Sequence, residues 1–428
     1  MTTSVSASYA ELGKTPQQLC AERTRRILDA TQLKQPDRVP IIVRFNFMLA
    51  ALAKTTKLDL YEHPEKAKAA LINAALRFQP DAAQGLFGSP EPSRALGDVM
   101  TRWPGYGLDA NGSFQYHEEE YMKAEDYDAF LADPVDWAIR VYLPRTCKEL
   151  EGLKELPPLA QILGGFYGVV FSLLGPLASP GVRRAAQALA KASDAHARWL
   201  ENQGELVKSM EAAGFPMLPF ENCGLNAPFD FMSDALRAMR GIFLDMHRCP
   251  DKLLAAEDIV ARTQTDYAIA ACRAMGNPYV FFPLHRGSDE FISLEKFERF
   301  YWPQLKAMLL ELIEAGLIPM VFYEGTWNKR LKYLAELPKG KTIGYFHRTD
   351  LFKAKEVIGD VMCIEGGMPV SLLVGGAVQE VREHTKRLCQ EVGKGGGFIM
   401  ATSTGELEGA NPDLVQAWVD ATREFGAY

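Results

Sequence analysis

Ile318-Pro-Met-Val-Phe-Tyr-Glu324 is an apolar run that ends in a carboxylate, and three comparable runs follow it in the last quarter of the chain. They are residues 342–346 followed by His347, residues 361–362 followed by Cys363, and residues 397–401 followed by Thr402, Ser403 and Thr404. Stretches long enough for a helix separate most of them. Alternating strands and helices indicate a parallel sheet. We predict an α/β fold, a single (β/α)8 TIM barrel with helical and loop insertions over its C-terminal face.

Three of these runs end in side chains that can bind a metal. In a (β/α)8 barrel the C-terminal ends of the strands line the active site, so Glu324, His347 and Cys363 would converge on one point. One carboxylate, one imidazole and one thiolate suit zinc, with a fourth position left for substrate. The alternatives are a strand-end salt bridge for Glu324, a structural hydrogen bond to Asp350 for His347, and simple burial for Cys363.

The composition narrows the class of protein. The chain has 428 residues, 47% of them hydrophobic and 24% charged, with a net charge of −7. This length fits one large barrel with insertions or two modest domains. The acidic balance argues against nucleic-acid binding. Seven cysteines stand singly and no signal peptide precedes them, which predicts a reduced, cytoplasmic protein.

The remaining segments are assigned around the barrel. We predict one domain over residues 1–428, with a helical extension over residues 1–35 and insertions at about 88–150 and 164–214. The insertion at 88–150 is rich in turns and is expected to cover the barrel mouth as a movable lid. Nine candidate strands compete for eight places, so one assignment must be wrong.

Residues 159–182 form a run of 24 residues without a charged side chain. Such a run invites assignment as a membrane span, yet glycines and prolines interrupt it and no second span follows. We interpret it as buried core that begins with a barrel strand at residues 159–163, and we predict no membrane span. Contact with a membrane surface is the alternative.

Other residues near strand ends are candidates for the site. His285 follows a predicted strand at residues 279–282 and could position the substrate, act as a general acid, or form only a loop salt bridge. Tyr323 and Asp350, beside Glu324 and His347, are further catalytic candidates. The substrate-binding candidates are the polar residues Arg44, Glu221, Asn222 and Ser403 and an aromatic cage of Phe45, Phe47, Phe166, Tyr167, Tyr323 and Trp327, each of which could instead belong to the core.

Several motifs resemble the uroporphyrinogen decarboxylase superfamily. They are Pro36-Asp-Arg-Val-Pro40, Ala227-Pro-Phe-Asp-Phe231, Gly395-Gly-Gly-Phe-Ile399 with Asn411-Pro-Asp-Leu414, and the closing Ala421-Thr-Arg-Glu-Phe-Gly-Ala-Tyr428. The resemblance covers nearly the whole chain apart from the insertions. It implies the barrel fold but not one activity, because the superfamily divides. One branch decarboxylates a tetrapyrrole without a cofactor, and another contains zinc-dependent methyltransferases that move methyl groups to or from corrinoid proteins.

The chain departs from both branches at their functional motifs. Where the decarboxylases have Arg-Gln-Ala-Gly-Arg, this chain has Val43-Arg-Phe-Asn-Phe47, with a single arginine. A substrate with eight carboxylates needs several cationic partners, so that reaction is disfavoured. The known methyltransferase pattern, His-x-Cys-Gly and a later cysteine, is replaced here by Phe322 and Glu324, with no cysteine after the last strand. The resemblance therefore implies a rearranged zinc site.

These observations predict a zinc-dependent methyltransferase. It would take a methyl group from a small methylated substrate, such as an aryl methyl ether, and pass it to the cobalt of a separate corrinoid protein. Zinc bound to the ether oxygen would act as a Lewis acid. The alternatives are a metal-free decarboxylase of an aromatic or tetrapyrrole acid that depends on Arg44 or Arg286, and a non-catalytic barrel that binds a corrinoid or tetrapyrrole. The resemblance also makes a homodimer an expectation.

Overall fold

Eight parallel chain segments close into a barrel in the computed structural model, which describes residues 13–218 and 223–428. Strands β1 (Ile42–Arg44) and β2 (Ala82–Gln84) pair in parallel. Five further parallel strands follow the order β6 (Tyr279–Leu284), β7 (Ile318–Tyr323), β8 (Ile343–Phe346), β9 (Cys363–Met368) and β10 (Phe398–Thr402). A single parallel bridge from Ile41 to Met400 links the β1–β2 pair to β10 of the five-stranded group. The predicted TIM barrel is confirmed.

The third place in the barrel is taken by the chain on either side of residues 219–222. Met217 bridges to Ala83 of β2, and Gly224 bridges to Phe281 of β6. The strand predicted at residues 159–163 is wrong, because these residues form a 3-10 helix outside the barrel. A short apolar run cannot be distinguished from a helical segment by periodicity alone. Because Met217 and Gly224 take the third place, residues 159–177 lie outside the barrel. These residues are largely exposed, so their interpretation as buried core is also wrong.

Helices surround the barrel and also occur within the segments that connect its strands. The α-helices are Pro16–Thr31, Met48–Ala53, Lys57–Glu62, Pro64–Phe78, Pro90–Leu96, Tyr127–Ala132, Pro134–Trp137, Leu143–Thr146, Gly165–Gly168, Gly175–Leu177, Pro180–Ala212, Pro228–Phe231, Ala238–Arg248, Pro250–Met275, Leu294–Lys296, Trp302–Glu314, Leu331–Leu334, Leu351–Ile358, Val370–Gly375, Val378–Arg387 and Pro412–Phe425. The 3-10 helices are Ala124–Asp126, Lys148–Glu155 and Leu159–Leu163. The π-helical segments are Ala138–Tyr142, Val169–Leu174, Met232–Arg237, Phe297–Tyr301 and Leu388–Val392. In the part of the chain that the structure describes, no one helix combines the length and apolar character needed to cross a membrane.

Alternate residues of each strand point into the barrel or out toward the helices. The inner cluster contains Ile42, Ala82, Leu218, Tyr279, Met320, Ile343, Tyr345, Cys363, Ile399 and Ala401. Residues of the other parity, such as Val321, Tyr323 and Phe346, pack in the outer cluster against the helices. This parity places Glu324, His347 and Ser403 on the inner side of the barrel, where β7, β8 and β10 end.

The insertion at 88–150 lies across the barrel mouth. It contains a small sheet of β3 (Thr101–Pro104), β4 (Gly107–Leu108) and β5 (Gln115–Tyr116). The Tyr116 hydroxyl donates a hydrogen bond to the Asp234 carbonyl (2.6 Å), and the Ser113 hydroxyl donates to Glu408 (2.5 Å). The insertion is thus fastened to loops from two different parts of the rim.

Candidate active site at the barrel mouth

His285 follows β6 and lies between two carboxylates. Its Nδ1 is 2.5 Å from Asp234 Oδ2, and its Nε2 is 3.9 Å from Glu324 Oε2. The first distance is a short hydrogen bond between charged groups. The second is too long for a direct hydrogen bond, so the Nε2–H of His285 and the Glu324 carboxylate can both bond to one polar group of a substrate placed beside them. Both side chains are partly exposed, at 35% and 42%.

Asp230 and Asp234 fix the position of His285. Asp230 is fully buried and accepts hydrogen bonds from the backbone N–H groups of His285 (2.9 Å) and Arg286 (3.0 Å) and from the Tyr301 hydroxyl (2.7 Å). Asp234 lies four residues later, in the π-helical segment Met232–Arg237. Because π-helical turns are frequent at functional sites, this segment is a structural sign of function as well as the support for the imidazole.

Three carboxylates around His285 govern its charge. Burial alone would lower the pKa of His285, but the hydrogen bond to Asp234 and the negative charges of Asp230, Asp234 and Glu324 raise it to about 9. The imidazole therefore carries a proton on both nitrogens at neutral pH. Burial raises the pKa of Glu324, and the positive charge of His285 opposes that shift. A strongly shifted pKa at a strand end is typical of catalytic groups.

Arg286 joins this group to the insertion over the mouth. Its guanidinium is 3.1 Å from Asp234 Oδ1 and 2.7 Å from Glu118 Oε2. Glu118 belongs to the insertion, so the same ion-pair network that holds Asp234 also holds the cover. Movement of residues 88–150 would break the Arg286–Glu118 contact.

His347 follows β8 and is a neutral imidazole. Its Nδ1 accepts a hydrogen bond from the backbone N–H of Gly325 (3.2 Å), which leaves the proton on Nε2. Burial and the positive charge of Arg348 lower its pKa. His347, Arg348 and Ser403 line a cleft of about 520 Å³ over the ends of β8, β9 and β10. The predicted placement of His347 and Ser403 at the barrel mouth agrees with this geometry.

Aromatic rings cover the β1 and β2 side of the mouth. Phe47, Tyr61, Phe87, Trp103 and Phe114 form this aromatic cluster, with neighbouring ring centroids 5.5–6.5 Å apart. Burial, with repulsion from Glu408, raises the pKa of the adjoining Glu406 to about 7. Among the aromatic residues proposed from the sequence, Phe47 is the one that lies in this cluster.

Arg44 lies deeper and is already paired. Its guanidinium is 2.5 Å from Glu365 Oε1 and 4.5 Å above the ring of Tyr345, and both charged side chains are buried. Arg44 therefore neutralises a carboxylate of its own chain inside the barrel. The structure does not place it as a free cation for substrate.

Comparison with known proteins finds a family resemblance in the C-terminal part of the chain. Residues 222–425 match the model of the uroporphyrinogen decarboxylase (URO-D) family. The C-terminal part of the chain, just under half of its length, is therefore similar to this family. This matched region contains the polar side chains of the barrel mouth, namely Asp230, Asp234, His285, Glu324 and His347.

The individual proteins that this chain resembles are distant in sequence. A uroporphyrinogen decarboxylase from Chromohalobacter salexigens is 24% identical over 180 residues, which are 42% of this chain and 50% of that protein. One from Methylococcus capsulatus is 25% identical over 117 residues, 27% of this chain and 33% of that protein. The chain thus spans half or less of the length of these relatives. A solved methyltransferase from Methanosarcina mazei superposes with a TM-score of 0.58 and 17% identity, covering 94% of this chain and 98% of that one.

Cys363 does not reach Glu324 and His347. It begins β9, pairs in register with Ile343 at the start of β8, and is fully buried in the inner cluster. His347 lies near the level of Gly367, about 13 Å further along β9 at 3.3 Å per residue. The predicted set of three ligands is therefore wrong, because a strand that was expected to end at Cys363 begins there.

The zinc prediction fails a fit test on the described residues. Within residues 13–218 and 223–428 no three His, Cys, Asp or Glu side chains come together in a way that could hold a metal ion. His285 and Glu324 approach each other, but zinc sites in proteins normally use three or four protein ligands. The donor set does not fit, and we derive no step through a metal.

Several other assignments from the sequence are corrected by side-chain direction. Tyr323, Trp327 and Phe45 point outward into the core between the strands and the helices. Asp350 caps the helix Leu351–Ile358 by accepting from the backbone N–H groups of Phe352 and Lys353. Phe166 and Tyr167 are exposed on the segment outside the barrel. Glu221 and Asn222 lie outside the described residues.

Sequence reasoning missed Asp230 and Asp234, which organise the site. Asp230 belongs to the motif Ala227-Pro-Phe-Asp-Phe231, which we used only to support the family resemblance, and Asp234 follows three residues after the motif. Two acidic residues four positions apart at the start of a helix lie on one helical face. That spacing could have marked them as partners of His285.

Replacement of Cys363 by serine tests its structural role. We expect the free energy of unfolding to fall by about 1–3 kcal/mol, since a hydroxyl is placed in an apolar interior. Metal content and catalytic activity should not change. Denaturant unfolding measures the stability, and metal analysis measures the zinc content. Cys20→Ser, which alters a partly exposed thiol, is the control. Loss of stoichiometric zinc in Cys363→Ser would restore the predicted metal site.

Proposed function

We propose that this protein is a methyltransferase in which His285 protonates the oxygen that loses a methyl group. The observation that carries the proposal is an imidazolium held between Asp234 and Glu324 at the C-terminal ends of the strands, the usual place of a TIM-barrel active site. The shared fold with a solved methyltransferase agrees with this reaction class but does not establish it.

The reaction needs an acid because an unprotonated oxygen is a poor leaving group. In a methyl ether the C–O bond breaks, and its electron pair stays on the oxygen. The oxygen takes the proton from His285 Nε2, while the electron pair of the acceptor forms the new bond to the methyl carbon. His285 then keeps its Nδ1 proton, which Asp234 holds. General-acid catalysis of this kind supplies the assistance that a metal would otherwise supply.

The mouth suits a small aryl methyl ether as the donor. The aromatic cluster of Phe47, Tyr61, Phe87, Trp103 and Phe114 offers ring faces for an apolar ring. Phe87 is 57% exposed, so part of this surface is open to a ligand. As acceptor we propose the cobalt of a corrinoid protein that docks over the mouth, with residues 88–150 as the lid that moves aside.

Decarboxylation of a polycarboxylate is the weaker alternative. It would need unpaired cations, yet Arg44 is bonded to Glu365 and Arg286 is bonded to Asp234 and Glu118. Two arginines committed to carboxylates of the same chain cannot also neutralise several carboxylates of a substrate.

The test is methyl transfer from methoxylated aromatic compounds to free cob(I)alamin, with carbon dioxide release from aromatic and tetrapyrrole acids measured in parallel. We expect a methylated corrinoid and a free phenol with wild type, both formed at least about a hundredfold more slowly with His285→Gln. Carbon dioxide release that depends on His285, without methyl transfer, would overturn the proposal in favour of a decarboxylase.

The pH profile should report the imidazolium. Since the pKa of His285 is raised to about 9, kcat/KM should fall as pH rises through about 9, where the acid loses its proton. The same shift means that the His285 contribution to stability is complete below the ordinary pKa of 6.5 and is lost as pH rises to about 9. Measurements of kcat/KM and of the free energy of unfolding as functions of pH, on wild type and on His285→Gln, check these two expectations. An alkaline limb that is unchanged in His285→Gln would assign it to another group.

A further inference from the structure

Residues 159–177 form an exposed apolar projection, here called the apolar knob. Its helical turns are Leu159–Leu163, Gly165–Gly168, Val169–Leu174 and Gly175–Leu177. The large side chains that are more than half exposed are Leu163, Phe166, Tyr167, Phe171 and Leu174. A monomeric soluble protein rarely exposes so many large apolar side chains in one place. The knob therefore needs a partner or medium that accepts apolar surface.

Exposed side chains occur along the whole length of the knob. The rings of Tyr167 and Phe171 stack on each other at a centroid distance of 6.0 Å and not on the barrel. No residue from 159 to 182 is charged, so the knob has no polar face to turn toward water. A helix that is apolar on every side is normally surrounded by apolar material. Contact with a single protein surface would require apolar side chains on one face of the helix only.

The backbone of the knob is compatible with lipid. Successive 3-10, α and π turns satisfy most of its N–H and C=O groups within the segment, which a hydrocarbon environment requires. An apolar stretch shorter than a full span is typical of an interfacial or re-entrant segment. The segments Gly165–Leu177 and Pro180–Ala212 are long and apolar enough to cross a membrane only when taken together, and their axes meet at a bend of 84°. This geometry fits entry into one leaflet and not a crossing.

Positive charges follow the knob. Arg183, Arg184 and Lys191 are the first charged residues after it, and the first acidic residue is Asp194. All three basic side chains are exposed, and they lie on the helix Pro180–Ala212. Basic residues beside an inserted apolar segment are attracted to anionic headgroups.

The acidic residues before the knob offset this charge only in part. Glu151 forms an ion pair with Lys154. The Glu155 carboxylate packs closely against the backbone of Gly181. A Cβ atom at position 181 would lie only 2.2 Å from Glu155 Oε1. Gly181 is in the first turn of the helix, whose N-terminus favours a negative charge. The base of the knob therefore remains available to an anionic surface.

The knob stands on the mouth side of the barrel. Its supporting helix passes the loops of that side, where Arg198 is 3.1 Å from Glu91 and Glu205 is 3.6 Å from Lys68. From Arg198 the helix continues to Pro180 for about 27 Å at 1.5 Å per residue. A partner or medium that buries the apolar knob would therefore lie on the side of the barrel from which substrate enters.

We propose that the apolar knob inserts into one leaflet of an anionic lipid bilayer and holds the barrel mouth toward the membrane surface. The observations that carry this are the exposed apolar side chains along the length of the knob, its internally bonded helical backbone and the basic residues at its base. The inference is independent of the proposed methyl transfer.

Vesicle flotation tests the insertion. Wild type should float with vesicles of mixed phosphatidylcholine and phosphatidylglycerol, and Phe166→Ser/Phe171→Ser should bind about a hundredfold more weakly, since two buried aromatic side chains are lost. Tyr267→Ser is the matched control, because Tyr267 is also exposed (62%) but lies on the helix Pro250–Met275. Arg183→Gln/Arg184→Gln should weaken binding to the mixed vesicles and leave binding to pure phosphatidylcholine unchanged.

A second measurement distinguishes lipid from protein as the partner. Phe171→Trp should give fluorescence that brominated lipid quenches. Three results would overturn the proposal: no flotation of wild type, equal flotation of wild type and the Phe166/Phe171 double variant, or unquenched Trp fluorescence. A wild-type dimer that the double variant dissociates, without flotation of either protein, would assign the knob to contact between two copies of the chain.

Discussion

His285→Gln should lower kcat/KM for methyl transfer by about 10²–10⁴-fold, the usual contribution of a positioned general acid. Glutamine keeps a polar side chain of similar reach but cannot deliver a proton at neutral pH. The loss should be concentrated in kcat, because His285 acts on the oxygen only as the C–O bond breaks. Steady-state kinetics with a methoxylated aromatic donor and cob(I)alamin measure the effect.

Two further variants distinguish the catalytic role of His285 from the role of the residues that hold it in place. Asp234→Asn removes the charge beside His285 Nδ1 and should move the alkaline limb of the rate to lower pH, since the carboxylate that raises the pKa of His285 is lost. His63→Gln changes an exposed histidine in another part of the chain and should leave kinetics unchanged. If His285→Gln kept activity within about threefold of wild type, general-acid catalysis by this residue would be excluded.

Arg44→Met should destabilise the protein by about 3–5 kcal/mol, the usual cost of breaking a buried ion pair from one side. Arg44 and Glu365 are 2% and 0% exposed, and their charged groups are 2.5 Å apart. Removal of the guanidinium leaves a carboxylate inside the barrel, where water cannot solvate it. Equilibrium unfolding in denaturant measures the change.

The double variant Arg44→Met/Glu365→Leu provides the decisive comparison. Removing both charges removes the unpaired carboxylate, so most of the lost stability should return. Arg348→Met, at an exposed arginine near the same strand ends, should alter stability by less than about 0.5 kcal/mol. If Arg44→Met were as harmless as Arg348→Met, the buried pair would not contribute to the fold as we infer.

Sequence patterns predicted the barrel because they record local chemistry. An apolar run such as residues 318–323 is compatible with a strand covered on both faces, and the polar residue that follows it marks the end of that strand. Alternation along the strand then places Glu324 on the same side as Met320 and Phe322. The inward direction of Glu324 and His347 is thus a consequence of sequence alone.

The tertiary structure decided which of these side chains meet. Cys363 follows two apolar residues, as a strand-end residue would, but pairing with β8 makes it the first residue of β9 and buries it far from the mouth. Register between strands depends on contacts distant in sequence, and an error of a few residues moves a side chain from one end of a barrel to the other. Asp234 shows the converse case, because only a π-helical turn packed beside β6 brings it to His285. The sequence by itself determined the strands and their inward faces, whereas the packing of helices and strands decided which charged groups share the site.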